Sequence, residues 1–290
     1  MGTSMRDEGA SRSPEARAIV PPHGSPPGTI LLAAALAVAA CGSPDAGAPA
    51  WGVPVTLAEE GGHVPTVAVD PGTRTAYVAW VGSPGDTADV YLSRIGLDGE
   101  HSAPVRVNDQ IGDAAPHGQA PATVAAGPGD DVYVAWQSTR AVEGRRFPAS
   151  DLRFARSGDG GRSFGPAVTV HRDGEVPASH TFHDLYVGPD GTIHVSWIDS
   201  RRRDRHRRLG TSGEAPPLEV RVSRSTDRGR SFGASVVVDT APCPCCRTAL
   251  AGGTSDTEPG PWLAWRKLYE GDVRDVVVAP PGERGDRFGA

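Results

Sequence analysis

An octapeptide of the form Ser-x-Asp-x-Gly-x-x-Phe occurs twice, as Ser157-Gly-Asp159-Gly-Gly161-Arg-Ser-Phe164 and as Ser225-Thr-Asp227-Arg-Gly229-Arg-Ser-Phe232. Each copy lies between two short runs of β-forming residues. Repetition at this scale marks stacked supersecondary units. The residue types explain the spacing. The Asp carboxylate can accept hydrogen bonds from backbone N–H groups, the Gly can take positive φ, and the Phe can tuck under the hairpin. Such a turn staples a hairpin and needs to do no chemistry.

Around these turns a longer unit recurs four times. Its second run is apolar and ends in tryptophan: Ala76-Tyr-Val-Ala-Trp80, Val132-Tyr-Val-Ala-Trp136, Ile193-His-Val-Ser-Trp197 and Trp262-Leu-Ala-Trp265. These tryptophans stand roughly 60 residues apart. A first run precedes each (65–70, 121–127, 182–188, 247–252), and a third follows (Asp89-Val-Tyr-Leu-Ser, Asp151-Leu-Arg-Phe-Ala, Leu218-Glu-Val-Arg-Val, Val273-Arg-Asp-Val). A fourth run closes the first three units. Four antiparallel strands per unit make a propeller blade, with the octapeptide between the third and fourth strands. The repeated Trp then reads as core between blades. Two outer turns are degenerate: residues 93–102 keep Asp98-Gly99, and residues 281–288 carry Glu283 in place of the Asp. The 37 Gly and 27 Pro of the 290 residues fall between Val-rich runs, and helical periodicity is absent after residue 53. The expectation is all-β: a propeller of four-stranded antiparallel blades over residues 53–290, about four blades.

Residues 29–40 are apolar and uncharged and end at Cys41. Such a run is too short for a membrane helix but suits the h-region of a secretory signal. Val38-Ala39-Ala40-Cys41 has the pattern of a bacterial lipobox. The expectation is a lipoprotein signal over 1–40, lipidation at Cys41, a flexible tether over 41–52, and export to the bacterial cell envelope with a membrane-inserted lipid. The net charge of −6 gives no general polyanion-binding role. The basic run 201–208 reads as a solvated insertion. It lacks the interleaved aromatics on which bases would stack, so no nucleic-acid partner is expected.

In a meandering blade the first-to-second and third-to-fourth turns share one face. The second-to-third loops and the connections between blades share the other. The octapeptides therefore point away from the face that carries the richer chemistry. On that second face the reading places His117, His180, His183 and Asp184 in loops leading into blades, with Cys243, Cys245, Cys246 and Arg247. It places Asp199, Arg201, Arg266 and Tyr269 in second-to-third loops. Asp184, Asp199, Arg201, Arg247 and Arg266 are the candidates for catalytic work. His183, Asp184, Arg201, Arg247, Arg266 and Tyr269 are the candidates for ligand binding.

Cys243-Pro-Cys245-Cys246 is the most specific chemical signal. Three thiols within four residues can hold Cu or Zn, with His183 as a nitrogen donor. They can equally form a Cys243–Cys246 or Cys243–Cys245 disulfide with one thiol left over, or a redox site.

The octapeptide resembles the Asp-box (BNR) repeat of sialidase-like β-propellers. That resemblance implies six blades, so that this chain covers part of one. It also brings an exo-α-sialidase type of glycoside hydrolase into view. Sialidases hold a substrate carboxylate with three arginines and use a Tyr nucleophile, with a Glu partner and an Asp acid/base. The family's Arg-Ile-Pro motif does not occur here, so the resemblance carries the fold over and not the catalytic set. Phe182-His-Asp-Leu, Trp197-Ile-Asp-Ser-Arg201, Cys243-Pro-Cys-Cys-Arg247, Trp265-Arg-Lys and Val273-Arg-Asp275 are further similar to sialidase-like exported bacterial proteins. The functional expectation is a glycan-binding or scaffold module without sialidase catalysis. The alternatives are the glycosidase and a metal-binding propeller.

Overall fold

The computed structural model describes residues 52–58, 61–83, 85–145, 147–172, 177–252 and 260–282. Cys41 with its signal and tether up to residue 51, and positions 283–288 of the fourth octapeptide, lie outside these residues. Within them the chain forms four antiparallel sheets, each in chain order. Blade 1 is β1 (Gly62–Asp70), β2 (Thr75–Gly82), β3 (Asp89–Ile95) and β4 (Val105–Arg106). Blade 2 is β5 (Thr123–Ala126), β6 (Val132–Arg140), β7 (Ala149–Ser157) and β8 (Val168–Thr169). Blade 3 is β9 (His180–Val187), β10 (Ile193–Asp199), β11 (Glu219–Ser225) and β12 (Val236–Thr240). Blade 4 shows β13 (Ala249–Ala251), β14 (Trp262–Leu268) and β15 (Arg274–Ala279).

The first strands follow one another around the molecule: β1 packs on β5, β5 on β9 and β9 on β13. That radial order is a β-propeller, as the sequence predicts. The core lies between blades, and β6 shows why. Val132, Val134 and Trp136 join a cluster with Tyr77, Val90 and Leu92 of blade 1. The alternate residues Tyr133 and Ala135 face Leu185, Ile193 and Trp197 of blade 3. A strand buried on both faces needs apolar residues at every position, not at every second one. The repeated tryptophans are buried, as expected. Two of their indole N–H groups are tied to acids: Trp197 Nε1 donates to Asp199 Oδ2 at 2.7 Å and Trp265 Nε1 to Asp239 Oδ2 at 2.9 Å.

The octapeptides lie between β7 and β8 and between β11 and β12. In the first, Ser163 N and Arg162 N both donate to Asp159 Oδ1 at 3.0 Å, and Gly161 N donates to Ser157 Oγ at 2.8 Å. In the second, Ser231 N donates to Asp227 Oδ1 at 3.0 Å and Gly229 N to Ser225 Oγ at 2.8 Å. The glycines have a second reason to be there. Both adopt positive φ, and a Cβ on Gly229 would lie 2.3 Å from Phe154 of the preceding blade. Phe232 is buried and meets the same Phe154 edge-on at 5.0 Å. Each turn thus closes its own hairpin and abuts its neighbour.

Two local expectations are corrected. The run 201–208, expected as a solvated insertion in a loop, is a helix, α1 (Arg201–Arg208), with only Asp204 buried. Eight residues are too few to hold a helix alone. Tertiary bonds hold it: Arg202 NH1 reaches Glu219 Oε1 at 3.1 Å, and Asp204 is buried against Ser200 and Arg145. The segment 180–184 is likewise strand β9, not a loop.

The turns predict an acid response. Ser231 donates a side-chain and a backbone bond to Asp227, and these pull its pKa from 3.8 to about 2. At Asp159 partial burial pushes upward, but bonds from Ser157, Ser163 and Arg162 outweigh it and the value again falls to about 2. A depressed folded pKa gives stability that is complete above 3.8 and lost as pH falls toward 2. The urea midpoint of Asp227→Asn should therefore vary less than wild type across that window. Gly229→Ala should cost roughly 2–5 kcal/mol at neutral pH from left-handed strain plus overpacking. Urea titrations at pH 7, 4, 3 and 2.5 check both.

Candidate functional site

The predicted acids and arginines of the loop face are mostly committed to one another. Asp199, at the end of β10, accepts from the backbone N of Arg201 at 2.9 Å and from its guanidinium at 2.6 Å, besides the Trp197 indole. His180 Nε2 lies 3.5 Å from the same carboxylate. Burial pushes the Asp199 pKa up, but the Arg201 bonds and the His180 and Arg201 charges bring it below its ordinary value. It is a fixed anion, unsuited to giving up or taking a proton near neutrality.

Asp184 and Arg247 form a second closed pair. Arg247 NH2 donates to Asp184 Oδ1 at 2.9 Å and its Nε to the His183 carbonyl at 3.2 Å. Leu250 N donates to Asp184 Oδ2 at 2.7 Å. This stitches β9 to β13. His183 is fully buried, and its Nε2–H donates to the Ala135 carbonyl at 3.1 Å, tying blade 3 to blade 2. Its ring lies in the blade interface and apart from the sulfurs. The thiol group comprises Cys243, Cys245 and Cys246 without it. Of those three, Cys243 and Cys246 are joined as a disulfide and Cys245 is free. The three Sγ atoms lie within 4.8 Å of one another, as the expected Cu or Zn centre needs, while two of them are bonded to each other here. Arg266 lies in β14, its NH1 3.9 Å from Cys246 Sγ, and half-exposed Tyr269 stands in the following loop under Lys267 Nζ.

His180 stacks on His171, a residue with no motif around it in the sequence. Their rings stack in parallel planes with centroids 3.5 Å apart, and Asp151 is 3.4 Å from His171. The donor atoms of Asp151, His171 and His180 cluster within 4.8 Å. Parallel stacking keeps the in-plane lone pairs from converging on one ion about 2.0–2.1 Å from each ring.

The open space on this face is a cleft of about 620 Å³ among the loop ends of blades 2 and 3, α1, and the Pro244–Cys245 corner. Its floor is apolar: Phe182, Ile198 and Leu218 belong to one small cluster with Ala120. A β-bulge aims Phe182. Ser196 pairs with Asp184 and Ile198 with Thr181, so Phe182 and His183 together oppose Trp197. Phe182 adopts φ 56°, a strained conformation for a bulky side chain, costing on the order of 1–3 kcal/mol. The bulge sends Phe182 into the cleft and His183 into the blade interface. Above the floor stand Gln137, Thr181, Ser179 and Ser200 as hydroxyl and amide groups, with exposed Phe147 at one rim.

The other rim is α1. Arg203 and Arg207, one turn apart, both line the cleft. Burial and the Arg207 charge lower the Arg203 pKa from its ordinary value. Arg207 makes no ion pair among the described residues. Asp204 is the acid among the lining residues, and it is held by the Ser200 hydroxyl and by Arg145 NH1 at 3.4 Å. Of the sequence-predicted site residues, Cys245 reaches this cleft, and His183, Asp184, Asp199, Arg201, Arg247, Arg266 and Tyr269 do not.

Two outcomes test this partition. Asp199→Asn leaves the Arg201 guanidinium without the buried carboxylate that it binds, so it should destabilise by about 3–5 kcal/mol in urea melts. His183 is drawn from 6.5 to about 4 by burial, with the Arg247 charge adding to it. The folded chain thus keeps it neutral where the unfolded chain protonates it, and stability is lost as pH falls from 6.5 toward 4. His183→Gln, which can still donate to Ala135, should flatten the urea-midpoint profile in that window.

No family model matches the chain, and no curated protein matches it. Solved structures that resemble it include a Hadza microbial sialidase at 18% identity, over 75% of this chain and 44% of that one, with a TM-score of 0.47. An α-L-arabinofuranosidase from Lactobacillus brevis matches at 10% identity over 77% and 73% of the two chains, with a TM-score of 0.44. An endo-arabinase from Bacteroides thetaiotaomicron matches at 14% over 77% and 76%, with a TM-score of 0.40. The chain spans less than half of the sialidase's length. These likenesses concern strand arrangement, and any functional reading rests on the side chains described above.

Proposed function

We propose that the loop-face cleft binds a carboxylate-bearing sugar, and that the chain is an exported, Cys41-anchored glycan-binding module without glycosidase activity. The observation that carries the reading is the Arg203–Arg207 pair of α1: two like charges one turn apart on the rim of a cleft, one of them with no acidic partner among the described residues. Like charges at this spacing repel, and a bound carboxylate relieves the repulsion through charge-assisted hydrogen bonds. The remaining wall suits a sugar. Hydroxyls meet Gln137, Thr181 and Ser179, while the ring's C–H face meets Phe147 and the apolar floor. The volume of about 620 Å³ falls within the usual range for a small-ligand cleft.

Glycoside hydrolysis uses two carboxyl groups flanking the bond, or a Tyr in the sialidase case. Asp184, Asp199 and Asp204 are each held by arginine, and Tyr269 lies away from the cleft lining. Titration of glucuronic acid and N-acetylneuraminic acid, with methyl glucoside as the neutral control, tests the reading by calorimetry. The acids should bind at least about tenfold more tightly than the neutral sugar, and Arg203→Ala/Arg207→Ala should remove that preference. Added salt should weaken the binding. Equal binding of all three sugars would remove the carboxylate assignment. Release of fluorophore from a sialoside, abolished by the same double variant, would replace binding with catalysis. Loss of lipid labelling in Cys41→Ser checks the anchor.

A further inference from the structure

At the edge of the cleft stands a chemistry that sugar binding does not use. Cys245 is a free, exposed thiol, and its Sγ lies 3.8 Å from Cys243 Sγ, one end of the Cys243–Cys246 disulfide. Cys243 is fully buried, and its N–H donates to the Arg266 carbonyl at 2.7 Å, so the central sulfur is held in place. The sulfur at the other end, Cys246 Sγ, lies 3.9 Å from Arg266 NH1. An attacking thiol, a fixed central sulfur and a cation beside the third sulfur stand within four residues and one neighbouring strand.

We propose that Cys243, Cys245 and Cys246 form a thiol–disulfide exchange centre. The Cys245 thiolate attacks Cys243 Sγ. A Cys243–Cys245 bond forms, the Cys243–Cys246 bond breaks, and the electron pair leaves on Cys246 Sγ. The proton given up by Cys245 balances the one Cys246 takes when its thiol re-forms. The step consumes no oxidant or reductant, because one disulfide and one thiol stand on each side. Exchange of this kind is governed by the thiolate fraction of the attacker and the stability of the departing thiolate. The Arg266 guanidinium favours the latter as a neighbouring positive charge does at reactive cysteines. Arg266 is thus a positioning residue for the leaving sulfur, which is a different role from the ligand contact its residue type first suggests. Because Cys245 lines the cleft, exchange moves the accessible thiol from the cleft wall to the Arg266 side.

The test maps the free thiol in the full-length chain. Protein kept without reductant is held for hours at pH 8.5 and quenched in acid. It is then labelled with a maleimide, reduced, labelled with iodoacetamide and digested with trypsin. Residues 231–247 are released between Arg230 and Arg247 and contain these three cysteines and no other. Tandem mass spectrometry then places the maleimide. The expected result is maleimide on both Cys245 and Cys246, one per molecule. The Cys246 share should fall at least about threefold in Arg266→Gln. Maleimide confined to Cys245 after the incubation would overturn the proposal. So would maleimide on all three cysteines together with stoichiometric zinc or copper, which would make the cluster a metal site. Cys246→Ser supplies an independent reading. It should hold a Cys243–Cys245 disulfide and take no maleimide in this segment, and two labelled cysteines would count against exchange.

Discussion

Burial of each interior sheet on both faces is the constraint on which the rest of this molecule depends. An interior blade has no solvent side: β6 presents Val132, Val134 and Trp136 to blade 1 and Tyr133 and Ala135 to blade 3. Apolar area removed from water on both faces supplies the driving force, at about 25 cal/mol per Å². The same geometry makes any polar group between blades costly unless it is paired. Several of the polar groups found there are paired across blades. Arg228 of blade 3 reaches Asp131 of blade 2, His183 reaches Ala135, and Arg247 reaches Asp184. What resemble site residues by type are therefore, in several cases, the bolts between blades.

The octapeptide turns obey the same constraint from the other end of the strands. Asp159 and Asp227 satisfy the backbone of their own turns, and the glycines let each turn approach the preceding blade within van der Waals distance. Closing a hairpin and spacing a blade are thus done by one motif. That is why it recurs where the blade interfaces recur, and why it lies away from the open cleft.

Strand ends on the opposite face are released from double burial, and there the chain departs from its repeat. The bulge at Phe182, the helix α1 and the sulfur corner Cys243–Cys246 all occur in blade 3 or at its junction with blade 4. They enclose a cleft whose charge comes from α1. Its arginines were visible in the sequence as a basic run, but their direction was not. Eight residues carry no amphipathic period long enough to announce a helix, and the bonds that fold it come from Glu219 and Arg145. His180 and His183, expected in a loop, stand on strand β9 for a similar reason. The bulge at Phe182 and His183 turns both rings onto blade 2, His180 against Ser150 and His171 and His183 against Ala135. His171, which stacks on His180, has no sequence signal at all.

The amino-acid sequence by itself determined the blade. The apolar runs ending in tryptophan, the turn chemistry of Ser157–Phe164 and Ser225–Phe232, and the phase of the strands follow from local propensity, periodicity and hydrogen-bonding capacity, all of which act within one hairpin. It also determined that three cysteines stand together, though not which two are bonded. Tertiary structure alone decided which arginines clamp a neighbouring blade and which line the cleft. Arg201 and Arg247 meet carboxylates, Arg266 meets a sulfur, and Arg203 and Arg207 meet an open cleft. The physical reason is that an ionic side chain's role is set by what lies within about 4 Å of its charge. In a propeller those neighbours come from the next blade, tens of residues away along the chain.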